Sequence, residues 1–258
     1  MSKLLVDEIG GNAGAATAIA SGKTISGTAA QFTITGGSSG EFLSTDGSGG
    51  LSFAAAAAGF NDVEPVTATG VYTVPADITK LLVIITGGGG SGSAGISATA
   101  NGGGGCSAGT VIARVTVVPT DTITITIGAG GAQTANTTNT VGNVGGDSTF
   151  AHTSGSGSFD TITAPGGRAG VLYNTATADP VAPTVGASNS GIAIKGGTSV
   201  DQGAASFWGQ GGMQGLPSIT TSKVGEAFGS GGGGGTYTAG LFYGSAGADG
   251  VCFIMEFK

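Results

Sequence analysis

Glycine decides what this chain can become: it supplies 55 of 258 residues and clusters at 87–90, 102–105 and 231–235. Every glycine ordered on folding loses more backbone entropy than any other residue. A folded polyglycine stretch must recover that loss through backbone hydrogen bonds between segments that lie closer together than a Cβ would allow. Left-handed extended helices with three residues per turn are one such solution, and flexible or irregular loops avoid the loss altogether. The sequence leaves both open. It excludes collagen, because the glycines follow no strict triplet period.

Between the clusters the chain reads as strands. Lys80 to Thr86 is a continuous β-branched run of strand length, expected at the centre of a sheet with both faces covered. Val111 to Val117 alternates, and Asp121 to Ile127 alternates strictly, with isoleucines on one face and threonines on the other, as half-buried strands do. Val251, Phe253, Met255 and Phe257 share one face of a closing strand, expected beside the first long run. Two shorter pieces, Ile162 to Ala164 and Ile192 to Ile194, each run on towards a glycine pair, and no helix of any length is visible. The fold class expected is all-β: a β-sandwich-like domain over residues 61–258 with long glycine-rich loops, polyglycine segments being the alternative for those loops. Residues 1–60 carry only short β-like pieces, Gln31 to Thr35, Glu41 to Thr45 and Leu51 to Phe53. Strands this short need partners from elsewhere, and three identical chains sharing one interior would supply them.

Composition narrows the function. Only 9% of residues are charged, and the net charge is −7 with no basic run, so nothing here would neutralise the phosphates of a nucleic acid. Ser, Thr and Asn keep the surface wet, which suits extracellular or virion structural proteins better than metabolic enzymes. The apolar stretch in Met1 to Glu8 is too short for a signal peptide, and no run approaches a membrane span. Cytoplasmic synthesis, release by lysis and no membrane insertion are the expectations. Cys106 and Cys252 make neither a disulfide framework nor a zinc set and read as buried free thiols.

Catalysis finds little footing. Gly36 to Gly40 fits a serine nucleophile elbow only formally, since no helix follows and His152 lies far along the chain. Gly22-Lys23-Thr24 resembles the end of a phosphate loop, but Thr17 stands where the leading glycine belongs. The acidic residues are scattered, so no glycosidase pair is nominated from spacing. The expectation is a protein that is not an enzyme, with no catalytic residue, metal or cofactor. Binding is better served, by an aromatic set in glycine-rich sequence: Phe207 with Trp208, Tyr237, and Phe242 with Tyr243. Aromatic faces stack on sugars and give large contact area at low entropy cost, although in a chain with 6% aromatics most should anchor the core. Trp208, Tyr237, Phe242 and Tyr243 are the candidate receptor-binding residues.

The order of several pieces resembles the glycine-rich domain of bacteriophage tail fibre and receptor-binding (adhesin) proteins. They are Val71 to Val83, the glycine cluster that follows, Ile127 to Gly131, Gly145 to Phe150, and Gly247 to Ile254. Met1 to Asp7 and Gly40 to Phe53 are similar to segments common in marine and cyanophage fibres. The resemblance implies a homotrimeric virion appendage, joined to other tail or capsid proteins through residues 1–60 and offering its distal loops to a host surface glycan or protein. Its function would be host attachment through multivalent display. The alternative is a virion part that recognises nothing: a head fibre, decoration or connecting protein.

Overall fold

The computed structural model describes residues 41–45, 51–55, 59–95, 101–135, 139–172, 180–198, 200, 202–214, 224–235 and 243–258. It divides into two compact units, Met1–Ala56 and Ala57–Lys258. In the first, β1 (Glu41–Thr45) pairs antiparallel with β2 (Leu51–Ala55), setting Leu43 opposite Phe53. Gln31 to Thr35 lies outside the described residues.

The second unit holds β3 (Phe60–Val66), β4 (Gly70–Thr73), β5 (Lys80–Thr86), β6 (Thr110–Thr116), β7 (Thr122–Thr126), β8 (Ser148–Ser154), β9 (Ile162–Ala164), β10 (Ser190–Ile194) and β11 (Val251–Phe257). They form two antiparallel sheets, of order β10-β6-β5-β11-β3 and β4-β7-β8-β9. Leu81, Val83, Ile85, Val111, Val115 and Ile254 of the first face Tyr72, Ile123, Ile125, Phe150 and Ile162 of the second in one continuous core. This is a β-sandwich, and the fold is all-β, with no helix among the described residues.

The alternating strands fall as their patterns require. Ile123 and Ile125 are fully buried while Thr122, Thr124 and Thr126 stay half-buried on the outer face. β5 is central, between β6 and β11, but its outer residues Leu82 and Ile84 are only half-buried. β11 does lie beside β5, and of the four residues on the shared face only Val251 is buried. Register with β5 sets Cys252 opposite Ile85 and Ile254 opposite Val83, so those residues enter the core and Phe253, Met255 and Phe257 do not. Nor does β11 close the sheet, because β3 pairs along its other side. The inward register carries Glu256 into the interior, where the Tyr72 hydroxyl donates to Oε1 at 2.7 Å and Asn61 Nδ2 donates to Oε2 at 2.8 Å. A buried carboxylate is tolerable when its oxygens are satisfied in this way.

The glycine clusters are not long loops. From Gly87 onward, Gly88, Ser91 and Ala94 donate their N–H groups to the carbonyls of Gly146, Asn143 and Thr140. Gly89 and Gly92 donate to Ala248 and Ser245, and Gly87, Gly90 and Ser93 to Gly109, Cys106 and Gly103. Each neighbour is met every third residue, the period of a left-handed extended helix with three residues per turn. Partner numbers fall as donor numbers rise, so these three neighbours run antiparallel. The carbonyls keep the period of three but meet parallel neighbours: Gly88 and Ser91 accept from Gly167 and Gly170, Gly90 and Ser93 from Gly232 and Gly235, and Gly89 accepts from Gly131. One extended segment thus has six neighbours, joined by bonds of 2.7 to 3.2 Å, which is hexagonal packing.

Only glycine permits this spacing at the centre. A Cβ on Gly90 would lie 2.0 Å from the Arg168 carbonyl oxygen, and one on Gly145 would lie 1.9 Å from that of Gly88. Where the clusters are interrupted the residue is small, and serine hydroxyls take over backbone partners. Ser91 Oγ accepts from the Asn143 N–H, Ser107 Oγ from Gly197, and Ser93 Oγ both accepts from Gly103 and donates to the Val171 carbonyl.

Candidate functional site

The glycine array begins at the ends of strands. Gly87 follows β5, Gly109 precedes β6 and Gly250 precedes β11, so one end of the array is fixed to the sandwich. At that end Gly87 bonds Gly109, Gly109 bonds Pro165, and Gly250 bonds Gly128. At the other end Asn139 bonds Gly95, Gly102 bonds Gly235, and Thr134 bonds Gly244. Gly102 also bridges to Leu172 there. The chain therefore leaves the array at residues 95, 135, 172 and 235 on one side, the side away from the strands, and re-enters there at 101, 139 and 243. The residues between these exits and entries, 96–100, 136–138, 173–179 and 236–242, lie outside the described residues.

The four candidate receptor-binding residues do not form one cluster in the described part of the molecule. Tyr237 and Phe242 fall outside the described residues, and Tyr243 is half-buried at the far end, next to the Gly244 that bonds Thr134. Trp208 is at the strand end. Its indole Nε1–H donates to Thr86 Oγ1 at 2.9 Å, and its ring packs on Phe253 of β11 at 4.9 Å and edge-on to Phe207 at 5.0 Å. Thr86 is itself hydrogen-bonded through its hydroxyl to that of Thr110 at 2.8 Å. The six residue steps from Gly244 to Gly250 span roughly 19 Å at the rise of such a helix, so Trp208 and Tyr243 mark opposite ends of the array.

Trp208 also borders an open groove of about 680 Å³, with Val224, Glu226, Phe228 and Asp249 among its walls. Asp249 Oδ1 accepts the Gly130 N–H at 2.7 Å, tying the groove floor to the array. The half-buried indole is thus an anchor between the outer sheet face and the glycine segments, with part of its surface left to the groove. Composition pointed to Trp208 as a large aromatic in soft sequence. It carried no signal of the threonine that holds the indole.

Two buried polar groups complete the inventory. Asp121 accepts the backbone N–H groups of Ser156 and Gly157 at Oδ1 and of Val118 at Oδ2, and His152 Nε2 lies 3.5 Å from Oδ2. Burial works against ionising this carboxyl, but the N–H groups of Gly157, Val118 and Ser156 together with His152 outweigh it and hold it below the usual carboxylate range. Burial, then the bond to Glu256, pushes the Tyr72 phenol well above its ordinary value. Each group clamps neighbouring chain segments. Cys106 and Cys252 are unpaired and buried, and burial raises both thiols, which keeps them protonated and inert.

For the glycine clusters the sequence left loops and packed three-residue-per-turn segments both open, and the structure takes the second. The signal for packing was available in the interruptions: Ser91, Ser93, Ala94, Ser107, Ala108, Ala129 and Ser230 are small residues that an array of close-packed backbones can admit.

No curated protein matches the chain. The family model described as a glycine-rich domain matches residues 64–255, which takes in most of the sandwich and the array, and the chain belongs to that family.

Proposed function

We propose that this protein is a bacteriophage fibre component that binds the host cell surface, works as a homotrimer, and is held in the virion through residues 1–60. The supporting observation is the common far end of the glycine array. Helices rooted on the sandwich end together, so the short connections between them issue side by side from a stiff base. Recognition then falls to those connections, with Tyr237 and Phe242 in one of them and Tyr243 at its re-entry into the array. The base contributes placement and no chemistry. Three such ends on one fibre raise avidity by increasing the effective concentration of weak sites, without any strong single contact.

Adsorption tests this. Purified full-length protein is expected to bind host cells and to compete with infection, and the triple variant Tyr237→Ala, Phe242→Ala, Tyr243→Ala to lose at least tenfold in adsorption while keeping its melting temperature. Protein that coats the capsid in labelled virions and neither adsorbs nor competes would instead be a head fibre, decoration or connecting part.

A further inference from the structure

The two outer faces of the sandwich differ in kind. On the four-stranded sheet, register places Thr126, Thr149, Thr163 and Thr184 in one cross-strand row, with Thr122 bonded to Ser154 and Thr124 to Thr153 through their hydroxyls. That face is made for water. On the five-stranded sheet the corresponding row is Ile192, Ile112, Ile84, Phe253 and Pro65, apolar across every strand. The next row is Ser190, Arg114, Leu82, Met255 and Val63, and the third is Thr116, Lys80, Phe257 and Phe60, so two cations and two hydroxyls border the apolar residues. Ile192 is 63% exposed, Phe60 59% and Val63 37%.

We propose that this apolar face is where copies of the chain join, each copy turning its five-stranded sheet towards a common axis. The inference rests on the trimeric reading above and adds its surface. Fourteen outward positions in these three rows, ten of them apolar, cover on the order of 450 Å². Phe207, 48% exposed and packed on the Trp208 that sits on Phe253, extends the patch further. The total approaches the roughly 800 Å² per partner of a stable interface, on a chain whose other sheet face is hydroxylated. A patch that meets its own copy must supply both protrusion and recess. This one does: Phe60 and Ile192 project from its two edge strands, and a recess of about 320 Å³ lies between them, lined by Lys80, Leu82, Arg114, Phe257 and Lys258. The first row carries no charge, and the cations of the other two, Arg114 and Lys80, lie beside the recess with no carboxylate among the three rows.

Sedimentation of the full chain at micromolar concentration tests the assignment. Wild type is expected to sediment as a trimer. The double variant Ile192→Lys, Val63→Lys, altered only at exposed positions, is expected to sediment as a monomer with unchanged circular dichroism. Val71→Lys, 68% exposed on the other sheet, is expected to remain trimeric. A double variant that stays trimeric overturns the assignment of this face and leaves multivalent attachment standing. A wild-type monomer overturns the assignment as well. Fusing the monomeric variant to an unrelated trimeric coiled coil separates the two ideas, since recovered adsorption supports attachment by avidity whichever face joins the copies. Should the variant misfold, amide exchange in wild-type β10 and β3 supplies the second measurement. It is expected to quicken on dilution, and rates unchanged while the mass falls to that of a monomer would overturn the proposal.

Discussion

Gly90 and Gly59 share a side chain and differ in everything around it. A Cβ at Gly90 meets the Arg168 carbonyl oxygen at 2.0 Å, whereas one at Gly59 meets nothing within 4 Å. The lattice cannot open at one position without breaking bonds to several neighbours, so Gly90→Ala is expected to destabilise by about 3 kcal/mol, the upper range for overpacking. Gly59→Ala should lie within about 0.5 kcal/mol of wild type. Chemical denaturation of the two variants checks both. Asp121 sets the acid limit. Its carboxyl is held below its unfolded value, so the stability it contributes is full above about pH 4 and drains away as pH falls through the lowered native value. Urea midpoints measured from pH 6 to pH 2 should show that slope, and Asp121→Asn should flatten it. At the alkaline end the sign reverses: the Tyr72 phenol is raised, so its contribution is complete below about pH 10 and is lost above it, a slope that Tyr72→Phe should remove.

At the scale of elements, strands were legible and the glycine segments were not, for one physical reason. A strand in a sandwich writes its environment into side chains, as Ile123 and Ile125 against Thr122 and Thr124 show. A helix such as 87–94 is held mainly by backbone groups, with the hydroxyls of Ser91 and Ser93 assisting, and its period of three appears in hydrogen bonds without appearing in residue types. Glycine clusters broken by serine and alanine look like loops until the partners are known. β11 misled differently: its larger residues lie on the outer face, and only pairing with β5 decides which face goes in. The threefold period has a testable consequence. Inserting one glycine after Gly90 turns all that follows by a third of a turn and sends each later N–H toward the wrong neighbour. Inserting three restores the phase. The three-residue insertion is therefore expected to keep more of the wild-type melting temperature than the one-residue insertion, reversing the usual order of damage with length.

The molecule as a whole is built with few charges. Charged residues are 9% of the chain, and its cohesion comes from an apolar sandwich core and neutral backbone bonds. Screening has little to act on. The denaturation free energy is expected to change by less than about 0.5 kcal/mol between 50 and 500 mM sodium chloride, in line with the small worth of surface ion pairs. Of the candidate site, the sequence conveyed its aromatic character and missed its division, because Trp208 and Tyr243 lie in neighbouring stretches of glycine that the array carries to opposite ends. The outer rim of that array carries a different freedom. Val141 and Val144 stand three residues apart on a peripheral segment, 54% and 66% exposed, while Gly142 and Gly145 beside them face inward neighbours. Such outward positions answer to no internal fit. Each can be exchanged singly, hydrophobe for acid or hydroxyl, while the scaffold beneath registers no difference.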